Sequence, residues 1–160
     1  MHATDSLGPD FADLLQALAV NEVEFVVVGA FALGRHGYVR ATGDLDILFR
    51  PSPDNVRRLT LALAAFGAPT SLTDPAGLLV PDTVTQLGVR PHRIDLLNSL
   101  SGVSVDEALA GAVFSNVGGH HVRVLGLEEL RRNKLATGRE SDLRDVAELD
   151  RVTRRGVGRG

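Results

Sequence analysis

Two aspartates separated by one residue within an apolar stretch are the feature that most constrains the fold of this 160-residue chain. Asp44 and Asp46 alternate with Leu45 and Ile47, and successive side chains of a β-strand point to opposite faces. The pattern therefore predicts a half-buried strand over Asp44 to Phe49 with both carboxylates on one face. Carboxylates spaced in this way can converge on the two cations of a phosphoryl-transfer site, although an Asp-x-Asp triplet alone is a weak motif.

A glycine lies fifteen residues before Asp44, directly after the apolar run Phe25 to Val28. The run predicts a buried strand, and Gly29 predicts the start of a helix that continues to His36. Backbone N–H groups at a helix start can bind an anion, and a glycine there lets a phosphate approach without a Cβ in its path. A glycine required only by a tight strand-to-helix turn is the alternative.

A third acid, Asp95, lies in a second alternating segment between Ile94 and Leu96. A carboxylate near a core is costly unless it is paired or bound to metal, so Arg93 or a cation could neutralise it. Three acids on adjacent strand ends would repel one another strongly without a cation. Oxygen ligands favour Mg²⁺ or Mn²⁺ over zinc, and Asp95 could also act as the general base for an attacking hydroxyl.

Arg40 and Thr42 lie two residues apart just before the acidic strand. Side chains of these types can hold phosphate oxygens, because both donate hydrogen bonds and the guanidinium can do so through two nitrogens. We therefore consider both residues as candidates for nucleotide binding.

Lys134 is the only lysine of the chain, and helical spacing places it on the inward face of a C-terminal helix. Its ammonium could neutralise triphosphate charge, or its stem could extend along apolar surface with the charge in solvent. Arg139 and Asp142 are predicted to complete the same wall of the site. Asp145 is predicted to be a solvated helix acid.

Composition limits the class of protein. The chain is 44% hydrophobic and 23% charged, which is ordinary for a soluble globular protein. Its net charge of −3 argues against a generally basic nucleic-acid-binding surface. The absence of cysteine excludes disulfides and thiolate metal sites, and predicts a reducing cytoplasm. No apolar run approaches the length of a membrane span, and the first residues lack the features of a signal peptide.

Helical and alternating patterns, with their capping residues, predict a single domain over residues 1–152 and a basic flexible tail over 153–160. Mixed helices and strands, with hairpins as well as crossovers, predict an α+β fold (similar to α/β) in which helices flank one mixed sheet and two helices end the chain. The predicted helices cover 10–21, 29–36, 53–66, 104–111, 127–137 and 141–152, and the predicted strands cover 24–28, 44–49, 83–89, 92–97, 113–117 and 121–125.

The motifs, taken in order, resemble those of the nucleotidyltransferase superfamily of the DNA polymerase β type. The matching segments are Val28-Gly29-Ala30-Phe31-Ala32, His36-Gly37, Arg40-Ala41-Thr42, Asp44-Leu45-Asp46 and Arg93-Ile94-Asp95-Leu96-Leu97. The C-terminal stretch is similar to the bacterial subgroup that includes AbiEii-type toxins, through Asn133-Lys134-Leu135-Ala136-Thr137-Gly138-Arg139, Asp142-Leu143 and Asp145.

This resemblance implies that Asp44, Asp46 and Asp95 match the metal-binding carboxylates of the family. In the family, Mg²⁺ positions a nucleoside triphosphate, an acceptor hydroxyl attacks the α-phosphate, and pyrophosphate leaves. Lys134 and Arg139 match positions where the toxin branch places basic residues near the nucleotide. The acceptor in that branch can be a tRNA end or a protein side chain, and such a toxin would have an antitoxin partner.

Two departures from the family pattern leave alternatives open. The family has a Gly-Ser or Gly-Gly pair where this chain has Gly29-Ala30, so backbone N–H groups, Arg40 or Thr42 would have to hold the terminal phosphates. The chain also lacks the added C-terminal region of full-length AbiEii-type toxins. A catalytically inactive nucleotide-binding or partner-binding module is one alternative function, and a two-metal phosphohydrolase is another.

Overall fold

The computed structural model describes residues 9–40, 43–89 and 92–157. Within these ranges one six-stranded sheet is flanked by helices, and two helices follow the last strand. The strands are β1 Phe25–Val28, β2 Leu45–Phe49, β3 Val84–Leu87, β4 Ile94–Leu97, β5 Val113–Val117 and β6 His120–Val124. The helices are α1 Pro9–Val20, α2 Ala30–Arg35, α3 Pro53–Phe66, α4 Pro75–Leu78, α5 Val105–Gly111, α6 Leu127–Thr137 and α7 Glu140–Val157, with a 3₁₀ helix at Thr70–Leu72.

The sheet is mixed, with the strand order β3–β4–β2–β1–β6–β5. The central strand β2 pairs antiparallel with β1 and parallel with β4, and β1 pairs parallel with β6. The two outer pairs, β3 with β4 and β5 with β6, are antiparallel. This architecture confirms the predicted α+β fold with one mixed sheet.

Burial of the central strands and of two helices forms the core. All four residues of β1 are buried, and β2 alternates Asp46 with the fully buried Leu45 and Ile47. Helices α1 and α3 contribute further buried leucines, among them Leu14 and Leu59. Fully burying one such side chain stabilises the fold by roughly 1.5–3 kcal/mol, so the central strands are firmly held and can position polar residues at their ends.

Local capping signals fix several helix ends where the sequence predicts them. The Ser52 side chain accepts a hydrogen bond from the Asn55 backbone N–H at 3.2 Å at the start of α3. Ser104 and Glu107 form a reciprocal capping box at α5. Gly138, with a φ of 67°, ends α6 in the left-handed conformation that glycine adopts readily.

Three features differ from the sequence-based expectation or fall outside it. The segment 67–82, to which the sequence assigns no helix or strand, contains the 3₁₀ helix and α4, which begins with Asp74 as its cap and Pro75 in its first turn. Helix α7 continues to Val157, so residues 153–157 of the predicted flexible tail are helical. Arg90 and Pro91, which connect the predicted strands 83–89 and 92–97, lie outside the described residues. No helix in the described ranges is long and apolar enough to span a bilayer.

Candidate active site

The three aspartates predicted to act together lie on one face of two adjacent strands. Asp46 on β2 is the direct partner of Asp95 on the parallel strand β4, and side chains at paired positions point to the same face of a sheet. Asp44 lies two residues before Asp46 and shares that face by alternation. The structure therefore brings Asp44, Asp46 and Asp95 together, as the sequence predicts.

Arg93, the residue directly before β4, forms ion pairs with two of these acids. The Arg93 Nη2 atom lies 3.2 Å from Asp44 Oδ2, and its Nε atom lies 3.1 Å from Asp95 Oδ1. The Arg93 side chain is only 23% exposed, so these attractions are less screened than those of surface pairs. Of the two explanations for Asp95 offered by the sequence, neutralisation by Arg93 is observed.

The pairing of Arg93 with Asp95 leaves some of their polar atoms without hydrogen bonds. Asp95 Oδ1 and Arg93 Nε are both buried, and neither has a hydrogen-bond partner although they are close to each other. An additional Nη2–H of Arg93 donates to Asp95 Oδ2 at 3.3 Å. A buried carboxylate oxygen without a hydrogen bond retains acceptor capacity, so Asp95 Oδ1 can still accept a hydrogen bond or bind a ligand.

Asp46 carries the electrostatic cost of the cluster. Burial, followed by the charge of Asp95, a hydrogen bond with Asp95 and the charge of Asp44, raises the pKa of Asp46 from 3.8 to about 7, while Arg93 opposes the shift. The site thus holds more negative charge than Arg93 offsets. A strongly perturbed carboxyl with a defined charge partner is typical of a functional site.

Gly29 lies directly against this carboxylate. It precedes α2 with a φ of 70°, and a Cβ built on it would overlap Asp46 Oδ2. Both the backbone conformation and the close approach require glycine, so the turn alternative accounts for Gly29 without an anion. Ala30 begins α2, which has only six residues.

A second charged cluster lies where α6 meets α7. Lys134 Nζ lies 3.0 Å from Asp145 Oδ2 and 3.4 Å from Asp142 Oδ1. Arg40 Nη1 donates to both Asp145 oxygens at 2.9 Å. Arg139 Nε donates to Asp142 Oδ2 at 2.8 Å. The cluster therefore joins the segment before β2 to both C-terminal helices.

Burial corrects one prediction about this cluster and confirms another. Asp145 is 3% exposed and is not a solvated helix acid, because Arg40 and Lys134 compensate its charge inside the protein. The Lys134 side chain is 14% exposed, so it does not extend to solvent. Its predicted inward orientation on α6 is confirmed.

Asp142 is held in its charged form by its neighbours. Burial would raise the pKa of Asp142, but hydrogen bonds from Arg139 and Thr137 and the charge of Lys134 lower it to about 2. Arg139 is 74% exposed, so part of its guanidinium remains accessible to a ligand. Asp142 can therefore hold Arg139 and Lys134 in place while remaining ionised itself.

A groove of about 480 Å³ lies beside this cluster, lined in part by Tyr38, Arg40, Arg144 and Asp145. Arg40 precedes Asp44 by four residues, which limits the distance between their Cα atoms to about 14 Å. The groove is thus within a short reach of the acidic face. Thr42, the other candidate for phosphate binding before β2, lies outside the described residues.

Sequence reasoning missed the ion pair between Arg40 and Asp145, because 105 residues separate them and no local pattern reports such a contact. It also missed Gln86, which pairs with Asp95 across β3 and β4. The sequence does predict a strand over 83–89 just before the strand that contains Asp95. It does not show which residue of that strand pairs with Asp95.

No protein-family model and no curated protein sequence matches the chain. Several solved structures share its architecture, among them the following two. A candidate nucleotidyltransferase from Thermotoga maritima aligns with a TM-score of 0.58 at 14% identity, over 94% of this chain and 91% of that protein. The lincosamide antibiotic adenylyltransferase LnuA, solved with lincomycin bound, aligns with a TM-score of 0.52 at 12% identity, over 88% of this chain and 94% of that protein. At these identities the likeness establishes the fold. The chain therefore has the fold of these nucleotidyltransferases.

Proposed function

We propose that this chain is a metal-dependent nucleotidyltransferase, which transfers a nucleoside monophosphate from a nucleoside triphosphate to an acceptor hydroxyl. The observation that carries the proposal is the convergence of Asp44, Asp46 and Asp95 on one face of β2 and β4, with the pKa of Asp46 raised to about 7. The shared fold with two nucleotidyltransferases supports the same reaction class.

The same three aspartates are proposed to hold Mg²⁺ or Mn²⁺. Their oxygen-only donor set fits a hard cation. The raised pKa of Asp46 fits an additional positive charge beside it, as does Asp95 Oδ1, which accepts no hydrogen bond. Within residues 9–40, 43–89 and 92–157, no three histidine or acidic side chains are arranged so that they could hold a metal ion without rearrangement. Arg93 spans two of the acids, so metal binding would require this arginine to move aside.

A bound cation would supply positive charge that offsets the charge developing on the α-phosphate. Asp95 is proposed as the general base that takes the proton of the acceptor hydroxyl. The acceptor oxygen then forms a bond to the α-phosphorus, the bond from that phosphorus to the bridging oxygen breaks, and pyrophosphate leaves with the electron pair.

The nucleotide is proposed to bind between the acidic face and the groove beside α7. Arg40 and Arg144 are proposed to contact phosphate oxygens from this groove, which Asp145 and Glu148 also line, and Tyr38 offers an aromatic ring. Lys134 and Arg139 are proposed to neutralise phosphate charge, with Asp142 positioning both. The remaining proposed nucleotide contacts are Gly29, Ala30 and Thr42.

The acceptor and the biological setting follow from the resemblance to AbiEii-type toxins. An RNA end, such as that of a tRNA, or a protein hydroxyl is the proposed acceptor, and an antitoxin protein is the proposed partner. A cytoplasmic location and a catalytic domain over residues 1–152 belong to the same proposal.

Incubation with α-³²P-labelled nucleoside triphosphates, Mg²⁺ and a cell extract tests the reaction. We expect a labelled macromolecule with wild-type protein and with Asp13→Ala, which changes an exposed acid on α1. The double variant Asp44→Ala, Asp46→Ala should give no label while retaining a native circular dichroism spectrum. Equal labelling by the double variant would refute the proposal.

A catalytically inactive binding module is the second candidate, and two observations favour it. Arg93 already occupies two of the three acids, and Ala30 offers no hydroxyl to a phosphate. Calorimetry would then show nucleotide binding, without turnover on any acceptor. A phosphohydrolase would instead release free monophosphate, which thin-layer chromatography distinguishes from a transferred adduct.

A further inference from the structure

A row of paired residues crosses four strands of the sheet through the proposed catalytic acids. Gln86 on β3 pairs with Asp95 on β4, Asp95 pairs with Asp46 on β2, and Asp46 pairs with Val28 on β1. Paired residues share a face, so the exposed Gln86 side chain lies on the same face as both carboxylates. Neighbouring strands are about 4.8 Å apart, which places Gln86 one strand beyond Asp95.

The two ends of this row differ in accessibility. On the β1 side, Val28 is 3% exposed and Gly29 closes against Asp46. On the opposite side, β3 is the terminal strand, and no described strand pairs with its outer edge. A substrate can therefore approach Asp95 across β3, where Gln86 is the neighbouring side chain on the same face.

A groove of about 410 Å³ runs along this edge, between β3 and the segment that contains the 3₁₀ helix and α4. Val84, Thr85 and Gln86 line one side, and Leu72 and Asp74 are among the residues lining the other. The described lining contains one acid and no lysine, arginine or histidine. The groove beside α7 differs, because two arginines and two acids line it.

We propose that the groove along β3 is the acceptor subsite, and that its acceptor is an extended polypeptide segment bearing the reactive hydroxyl. This inference rests on the proposed nucleotidyltransferase function and chooses between the acceptors left open there. An edge strand can pair with an added strand through its free backbone groups. Val84 and Leu72, 53% and 41% exposed, offer apolar contacts for the alternate side chains of such a segment.

The charge of the groove disfavours the competing acceptor. An RNA strand carries one phosphate per nucleotide, and proteins bind it chiefly through lysine and arginine. Asp74 would repel those phosphates, whereas a polypeptide needs no cationic lining. Gln86 then acts as a positioning residue, because its carboxamide can both donate and accept a hydrogen bond beside the acceptor hydroxyl.

Labelling of defined probes tests the inference. A degenerate peptide library with a central Ser, Thr or Tyr, total cellular RNA and a small-metabolite extract are each incubated with α-³²P-labelled nucleoside triphosphates and Mg²⁺. We expect the peptide library to be labelled. Label in RNA or in a metabolite but not in peptide would overturn the polypeptide assignment while leaving the proposed function standing.

Variants then test the location of the subsite. Val84→Glu should raise the KM for a labelled peptide by at least about tenfold, and Gln86→Ala should lower kcat by about tenfold, a factor equivalent to about 1.4 kcal/mol. Leu61→Glu is the matched control, because Leu61 on α3 is 57% exposed and does not line the groove. Unchanged peptide kinetics in both groove variants would overturn the inference.

Calorimetry separates this inference from the proposed function on which it rests. Both groove variants should bind the magnesium–nucleotide complex as wild type does. Wild-type protein that binds the nucleotide but labels none of the probes would overturn the acceptor assignment. Wild-type protein that binds no nucleotide would overturn the proposed function itself, and the acceptor assignment with it.

Discussion

The raised pKa of Asp46 predicts that removing its charge stabilises the metal-free protein. Asp46 is half-buried between Asp44 and Asp95, and Asp46→Asn keeps the shape of the side chain without its charge. A carboxyl whose pKa is higher in the folded state than in the unfolded state binds its proton more tightly in the folded state. The contribution of Asp46 to stability therefore falls as pH rises from about 4 to about 7, and the full penalty acts above that window.

The magnitude follows from the size of the shift. A rise from 3.8 to about 7 corresponds to roughly 4 kcal/mol, at about 1.4 kcal/mol per pKa unit. Relaxation of Arg93 and the new amide contacts of asparagine will alter this figure. We therefore expect Asp46→Asn to raise the free energy of unfolding by about 2–4 kcal/mol at pH 8. At pH 4.5 the gain should be only about a quarter of that, because most of the pH window still lies above.

Urea unfolding in the presence of a chelator, at pH 4.5 and pH 8, measures this difference. Asp13→Asn is the control, since Asp13 is an exposed acid on α1. Its free energy of unfolding should follow that of wild type at both pH values. The reasoning fails if Asp46→Asn is no more stable than wild type at pH 8, or if its gain is the same at both pH values.

Three further predictions concern the neighbours of this carboxylate and the second cluster. Arg93→Gln should lower the melting temperature in the presence of a chelator, because it leaves two partly buried acids without their counter-charge. Added Mg²⁺ should restore the melting temperature in a thermal-shift assay. An equal decrease in melting temperature with and without Mg²⁺ would contradict this. Gly29→Ala should lower the free energy of unfolding in urea by at least about 2 kcal/mol, because the φ of Gly29 is 70° and a Cβ there would overlap Asp46. Gly34→Ala is the control and should be neutral or stabilising, because a Cβ at Gly34 would meet nothing within 4 Å. Similar effects at both glycines would refute this. The pKa of Asp142 is lowered from 3.8 to about 2, which contributes about 2 kcal/mol of stability that is present above pH 4 and lost as pH falls through 2. Asp142→Asn should therefore have a free energy of unfolding lower than that of wild type by that amount at pH 7. A difference from wild type that does not shrink at pH 3 would disprove the linkage.

Local signals explain the parts of the fold that the sequence predicts well. Alternation around Asp46 and Asp95 identifies both strands, and the capping residues Ser104 and Gly138 identify helix ends, because each signal depends on residues only a few positions apart. Asp44 and Asp46 in one alternating segment and Asp95 in another also predict the acidic face. The adjacency of the two strands was assumed in the sequence analysis, because alternation within one strand does not show which strands pair.

Long-range electrostatics explain what the sequence did not predict. The burial of Asp145 depends on Arg40, which is distant in sequence, and on Lys134 one helix earlier. Nothing in an amphipathic helical pattern distinguishes a solvated acid from a paired one. The extension of α7 beyond Val152 was missed because its last turns carry mostly polar residues, whose periodicity is weak.

The central claim is that Asp44, Asp46 and Asp95 form a divalent-cation site that serves a nucleoside triphosphate. Anomalous diffraction from crystals soaked with Mn²⁺ and a non-hydrolysable nucleoside triphosphate tests it most directly. The account predicts an anomalous peak bonded to the Asp46 carboxylate, with Arg93 moved away from Asp44 and Asp95. Bound nucleotide without manganese at these carboxylates, or manganese at another place with Arg93 still bridging the two acids, would contradict it.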